Sequence, residues 1–316
     1  MWGVQVKNAR TLTEGALLLA IYTVLLLITA YVPVLSIISI FFLVLPFIIY
    51  SEKHGIKPAL IMLAAAVFIS LLAGAFLITL PLTLSFGTVG IIIGWMLKNK
   101  KSKMLIYLVS SFVFLVSSVI EYIVSILLLD MNLIQEFIAW FEKVLINAIQ
   151  RAEEMGQPLP SGNMEDIRSS MELFEILLPS FFLTSSLGVM LIIISVNFPL
   201  LRRIGIHSAK FPPFRNWKLA QSIVWYYLIT LILMIIARPE MGTYLHVVVF
   251  NLFYVLQLLL VVQGLSFIYF FAHLKNWPKG LVILITVLAF PLYEFVRILG
   301  IIDLGFDLRQ RLQRKS

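Results

Sequence analysis

"KSKMLIYLVSSFVFLVSSVIEYIVSILLLD", residues 101 to 130, sets a basic turn ahead of an apolar run, 104 to 129, in which Glu121 is the only charged side chain. A run of that length crosses the roughly 30 Å hydrocarbon core of a bilayer as one α-helix. A strand reading fails, because no alternation of period two persists along it. Lipid in any case admits only helices and closed barrels, since it offers no partner to an open backbone. The fold class follows from this stretch: an all-α, polytopic transmembrane helical bundle.

The same reading extends along the chain to 12–32, 34–50, 57–79, 82–97, 177–200, 219–237, 244–273 and 281–302, which makes about nine hydrophobic helices and eight or nine crossings. Breaks fall at Pro33, "SEKHGIKP", Pro81, "KNKKSK", Pro179, "FPPF" and "NWPKG". A chain that is 61% hydrophobic and 13% charged, with mean hydropathy +1.01, is outside soluble usage and agrees. The first run follows Lys7 and Arg10 without an A-x-A-like cleavage site, so it is expected to stay as the first helix. The chain has no cysteine, which excludes disulfides, thiolate metal sites and cysteine nucleophiles.

With the N-terminus in the cytoplasm, the inner segments hold fifteen Lys and Arg residues, from Lys7 to Lys279, and the outer loops four: Lys143, Arg151, Arg168 and Arg238. That asymmetry sets the orientation in a plasma membrane. Four regions result: a five-helix membrane region (1–129), an external acidic amphipathic segment (130–176), the C-terminal membrane helices (177–302) and a basic tail (303–316). Within the second, Ile134, Phe137, Ile138, Phe141 and Leu145 share a helical face opposite Glu136, Glu142 and Lys143, and Asn163 is placed to cap a second short helix.

No P-loop, H-E-x-x-H or G-x-S-x-G motif occurs, and the four histidines are scattered singly, so no enzyme, metal site or cofactor is expected. The net charge of +8 lies mostly in short loops, where membrane orientation explains it, and nucleic acid is not an expected partner. Glu121 stands out: with Ser111, Ser118 and Ser125 it forms one polar stripe. A carboxylate inside a span costs about 2.5–3.5 kcal/mol on insertion scales, so a partner or a hydrated cavity should receive it. Asn251 in the eighth span is a second candidate. Ala16 and Ala20 in the first span and Gly90 and Gly94 in the fourth are small pairs that permit close helix approach, inside the bundle or to a partner.

Several stretches, "LTEGALLLAIYTVLLL", "LPFIIYSEKHGIK", "GTVGIIIGWMLKNKKS", "NLFYVLQLLLVVQGL" and "GIIDLGFDLRQRL", resemble the YybS family of uncharacterised bacterial integral membrane proteins across nearly the whole chain. More distantly, the first six spans resemble the S component of energy-coupling-factor vitamin transporters. That resemblance implies a six-helix bundle with both ends inside. It also implies that Ala16 and Ala20 match the A-x-x-x-A surface by which such a component docks on an energy-coupling module.

The last segment carries Glu294 and Arg297 beyond Pro291. One arrangement is a re-entrant hairpin that returns the tail to the cytoplasm. The other, taken as the expectation, is a crossing helix over 281–302 kinked at Pro291, with the tail outside. Counted along such a helix, Arg297, Glu121 and Asn251 fall in one polar layer in the outer third of the membrane. The expected function is a transport-related subunit that binds a small solute and is energised by a partner. The alternative is a non-transporting scaffold or regulator.

Overall fold

Helices end here where the backbone must leave the helical basin, and this shifts some of the boundaries drawn from composition. The computed structural model describes residues 2–155, 171–207, 212–240 and 242–313. The helices are α1 (Trp2–Tyr31), α2 (Pro33–Ser39), α3 (Leu45–His54), α4 (Ile56–Leu72), α5 (Phe76–Lys98), α6 (Lys103–Leu129), α7 (Leu133–Glu154), α8 (Leu178–Arg203), α9 (Ser222–Ala237), α10 (Tyr244–Leu274), α11 (Lys279–Leu288), α12 (Tyr293–Phe306) and α13 (Leu308–Gln313). Short 3-10 turns occupy Ile40–Phe42 and Phe214–Asn216, and there is no strand among the described residues.

The expected break at Pro81 is wrong. Gly74, at φ +81, closes α4, and α5 runs through Pro81. Only glycine takes the left-handed conformation at little cost, whereas a proline near a helix start forfeits a single N–H bond. Six helices, counting Pro33–His54 as one, are long and apolar enough to cross a membrane, and the α11–α12 pair would add a seventh. The apolar helices α4 and α9 are shorter, at 17 and 16 residues, so the nine apolar segments persist while fewer cross by length. Helix α7 covers the expected amphipathic stretch. Asn163 lies outside the described residues, and 171–176 is helical.

The chain divides into two compact units: residues 1–151 with 182–210, and 152–181 with 211–316. In the first unit α5 lies on α3 across a line of glycines. A methyl group on Gly90 would stand 2.7 Å from the Val44 carbonyl oxygen and from Phe47 Cβ, and one on Gly94 would collide with the Ile48 carbonyl. Ser51 then donates across the contact to the Ile91 carbonyl at 2.8 Å. Tyr22 of α1 donates to Thr83 at 2.7 Å and meets the Phe47 ring edge-on at 4.9 Å. Where the second span breaks into its 3-10 turn, Asn197 donates to the Phe41 carbonyl at 2.8 Å and satisfies a backbone group the broken helix leaves open.

In the second unit α12 crosses α10 with even less space. Cβ atoms on Gly264 and Gly300 would overlap the carbonyls of Val296 and Leu260. The register shows direction. Tyr293 lies beside Gln257, Gly300 against Leu260, Asp303 against Gln263, and Arg309 against Ser266. Both sets of numbers rise together, so α12 runs parallel to α10. Helix α11, entered from the turn after α10, must therefore run back before α12 returns. The two meet at 109°. A kinked crossing helix is thus overturned. With 10 residues, or about 15 Å, α11 is too short to cross. Arg309 of the tail meets the Arg215 carbonyl and Ser266, so α13 lies at the same end of this unit as the 212–219 loop rather than at the opposite end as expected.

Two outcomes check this arrangement. Gly300→Ala should lower the stability of the detergent-solubilised protein by about 1–3 kcal/mol, because a backbone carbonyl cannot swing aside. Gly280→Ala, with nothing within 4 Å of its Cβ position, should change it by less than about 0.5 kcal/mol. In this cysteine-free chain, single cysteines at Lys275 and Gln310 should react with an impermeant maleimide from the same side of the membrane; labelling from opposite sides would restore the crossing helix.

Candidate functional site

Glu121 projects from α6, whose start is capped by Ser102 accepting from the Leu105 N–H at 3.3 Å. Its Oε1 accepts a hydrogen bond from Ser85 Oγ of α5 at 2.7 Å, and the side chain is half-buried. Nothing in the sequence singles out Ser85 as the residue that meets this carboxylate. On the same stripe Ser118 is half-buried, while Ser111 and Ser125 are buried and return their hydroxyls to the Tyr107 and Tyr122 carbonyls. Such bonds to the preceding turn let a serine sit in lipid without another helix.

Asn251 of α10 spends its whole side-chain amide on one neighbour segment and its own helix. Oδ1 accepts from the Ser180 N–H at 2.9 Å and from Ser180 Oγ at 2.6 Å, while Nδ2 donates to the Ile176 carbonyl at 2.6 Å and the Val247 carbonyl at 2.8 Å. Two acceptor and two donor positions are all used, and none is left for a solute. Glu294 and Arg297 pair with each other one turn apart on α12, and the guanidinium lies 5.9 Å from the Tyr227 ring centroid. The expected polar layer does not follow, since Arg297 was placed in it by counting along a crossing helix that does not exist. Glu121 belongs to the first unit; Asn251, Glu294 and Arg297 belong to the second.

Ala16 and Ala20 are exposed on α1, on a strip with Leu12, Val24 and Leu27, opposite the buried Gly15, Tyr22 and Leu26. Gly90 and Gly94 are buried packing residues instead.

The most connected polar cluster was not foreseen. Asp303, fully buried, accepts from Arg309 Nε at 2.9 Å and from Gln263 Nε2 at 2.5 Å on the same carboxylate oxygen. Arg309 also donates to the Arg215 carbonyl at 2.8 Å and to Ser266 Oγ at 3.1 Å. Gln263 accepts from the Leu219 N–H at 2.9 Å, and Ser266 Oγ lies 2.8 and 2.7 Å from the Phe214 and Trp217 carbonyls. This knot ties the tail helix α13 and the 214–219 loop to α10 and α12. Outside it Lys218 donates to Asp307 at 2.7 Å and holds that carboxyl below the ordinary carboxylate range. The signal in the sequence was an aspartate at the edge of the last apolar segment, followed at six residues by an arginine. Expecting the tail on the opposite side concealed its partners.

Two clefts open at helix ends. One of about 850 Å³ in the first unit is lined by Glu52, Lys98, Lys100, Lys101, Arg202 and His207; one of about 670 Å³ in the second includes Phe214, Arg215, Tyr269, His273 and Trp277. Neither includes Glu121, Asn251, Glu294 or Arg297. Among the described residues no group of three His, Asp or Glu gathers as metal ligands would.

Residues 20–304 match the model of a family described as predicted membrane protein (DUF2232). The chain belongs to this family. A relative, the uncharacterised protein YybS of Bacillus subtilis (strain 168), is 31% identical over 316 residues, covering 97% of this chain and the whole of the relative. No solved structure matches. DUF2232 membership thus secures an integral membrane protein and brings no chemistry with it.

The buried knot makes a quantitative statement. Arg309→Ala should destabilise the solubilised protein by about 3–5 kcal/mol, because the Asp303 carboxylate stays buried without its counter-charge. The pair Asp303→Asn with Arg309→Gln should recover much of that loss, read as the thermal midpoint of each variant.

Proposed function

We propose that this chain is a non-catalytic scaffold of the plasma membrane, N-terminus cytoplasmic, that holds a partner membrane protein and does not carry a solute. The observation that carries this reading is local pairing. Glu121 is taken by Ser85, Asn251 by Ser180 and the Ile176 carbonyl, and Arg297 by Glu294. A solute site needs polar groups converging on an enclosed space, and these groups converge on each other. The cytoplasmic orientation rests on the fifteen-to-four distribution of basic residues. It also gains from the fold, since a tail that returns beside the 212–219 loop puts its arginines with the other basic segments.

A second reading, a transport-related subunit energised by a partner, is favoured by one observation. The first unit contains six apolar segments, α1, Pro33–His54, α4, α5, α6 and most of α8, and Ala16 and Ala20 remain exposed on the first. Both readings use the α1 face against another helix, and they differ in cargo. The full chain, extracted from its own membranes in mild detergent, should retain a membrane protein in fixed ratio. Ala16→Leu with Ala20→Leu should lose it. Mass spectrometry should find no organic solute in stoichiometric amount; one that is retained by the wild type and released by Glu121→Gln would overturn the scaffold in favour of the transport subunit.

A further inference from the structure

Two helices of the first unit end at the larger cleft with the same backbone turn. In α5 the Lys100 N–H bonds the Leu97 carbonyl at 2.9 Å and the Lys101 N–H the Met96 carbonyl at 3.0 Å. In α8 the Gly205 N–H bonds the Arg202 carbonyl at 3.2 Å and the Ile206 N–H the Leu201 carbonyl at 2.9 Å. This closure puts one residue in the left-handed conformation, and glycine is its ordinary occupant. Gly205, at φ +87, follows that rule. Lys100, at φ +52, does not. Orientation in the membrane and the negative end of a helix dipole both account for cations in this turn. Lys98 and Lys101 already supply them, so neither effect explains a lysine at the one position where its backbone is disfavoured.

The cations in the cleft also lack counter-charges, and among the described residues only Lys98 has a side-chain hydrogen bond, its Nζ donating to the Lys53 carbonyl at 3.4 Å. Lys98, Lys100, Lys101 and Arg202 face it against a single carboxylate, Glu52, and none of the five takes part in an ion pair among the described residues. The neighbouring carboxylate Glu14 is by contrast occupied by Arg10, Lys53 and His54. Arg202 Nη1 is shielded from solvent and has no hydrogen-bond partner among the described residues, which is rare for a buried donor. Several fixed cations around a concave space favour a multivalent anion, and phosphate oxygens suit both ammonium and guanidinium donors. About 850 Å³ is more than a bare phosphate fills, and Glu52 in the same space offers an acceptor to a hydroxyl or amino group on the ligand.

We propose that this cleft binds a phosphate ester carrying a hydroxyl or amino donor, with Lys100, Lys101 and Arg202 as its counter-charges. Such a group comes from two sources, the headgroup of an anionic phospholipid or a soluble ester, and glycerol phosphate is common to both. The site is independent of whether α1 docks a partner.

The full chain in phosphatidylcholine nanodiscs is titrated with glycerol 3-phosphate while its thermal midpoint and the binding heat are followed. In parallel, nanodiscs mixing phosphatidylcholine with phosphatidylglycerol are compared with phosphatidylcholine alone. A rise in midpoint with the soluble probe assigns a soluble ester, and a rise only with phosphatidylglycerol assigns the lipid. The decisive variant is Lys100→Gly, which removes the charge and relieves the backbone. Its unliganded midpoint should hold or rise while its response to the effective probe weakens roughly tenfold, as expected for loss of one charge-assisted contact. Adding Lys101→Gln and Arg202→Gln should abolish the response. If neither probe moves the wild type, or if Lys100→Gly responds as the wild type does, the proposal fails.

Discussion

A helix in lipid gains nothing by covering leucine with leucine, because the acyl chains beside it are just as apolar. Contact between helices must therefore come from close backbone approach and from hydrogen bonds that have no competitor. Both units are built on that constraint. In the first, Gly90 and Gly94 admit α3 to the surface of α5, and Ser51 reaches the Ile91 carbonyl across the gap. In the second, Gly264 and Gly300 bring α10 and α12 together, and the polar knot on Asp303 forms beyond the crossing.

The order of dependence in the second unit runs from the glycines to the charge. A side chain at position 264 or 300 would push α12 off α10 and carry Asp303 away from Gln263 and Arg309. Without Arg309 the tail helix would keep only the Lys218–Asp307 contact to the 214–219 loop, since this one guanidinium bonds Asp303, the Arg215 carbonyl and Ser266. A buried ion pair adds little net stability, and removing one member is costly. Its effect here is specification: it fixes which end of the unit the tail returns to. The α11–α12 bend at Pro291 is then the means by which a short apolar pair turns back on itself.

The spans were legible because hydropathy over twenty residues is a one-dimensional property, and each apolar segment read from the chain became helical, although 34–50 and 281–302 each divided and 57–79 ran past the break at Gly74. The amphipathic α7 was legible for the same reason. Local errors came from punctuation. Pro81 looked like a boundary and was carried inside α5, while Gly74, with no flanking polar turn, was the true break. Of the candidate residues, Glu121 was found through the rarity of a carboxylate in lipid, and Asn251 through its polarity. Neither inspection could reveal Ser85 or Ser180 as the partner, because a hydrogen bond between helices depends on which faces meet.

By itself the sequence determined that the chain belongs in a bilayer and is of the all-helical class, since these follow from transfer free energy counted along the chain. Only the tertiary structure decided where the last segment goes. Glu294 and Arg297 could have met solutes, other helices or each other, and the composition of 281–302 suits a span as well as a hairpin. The choice was made by contacts between residues 40 or more positions apart, Gln263 with Asp303 and Ser266 with Arg309. Such contacts satisfy buried polar groups whose cost is felt only once the helices have packed.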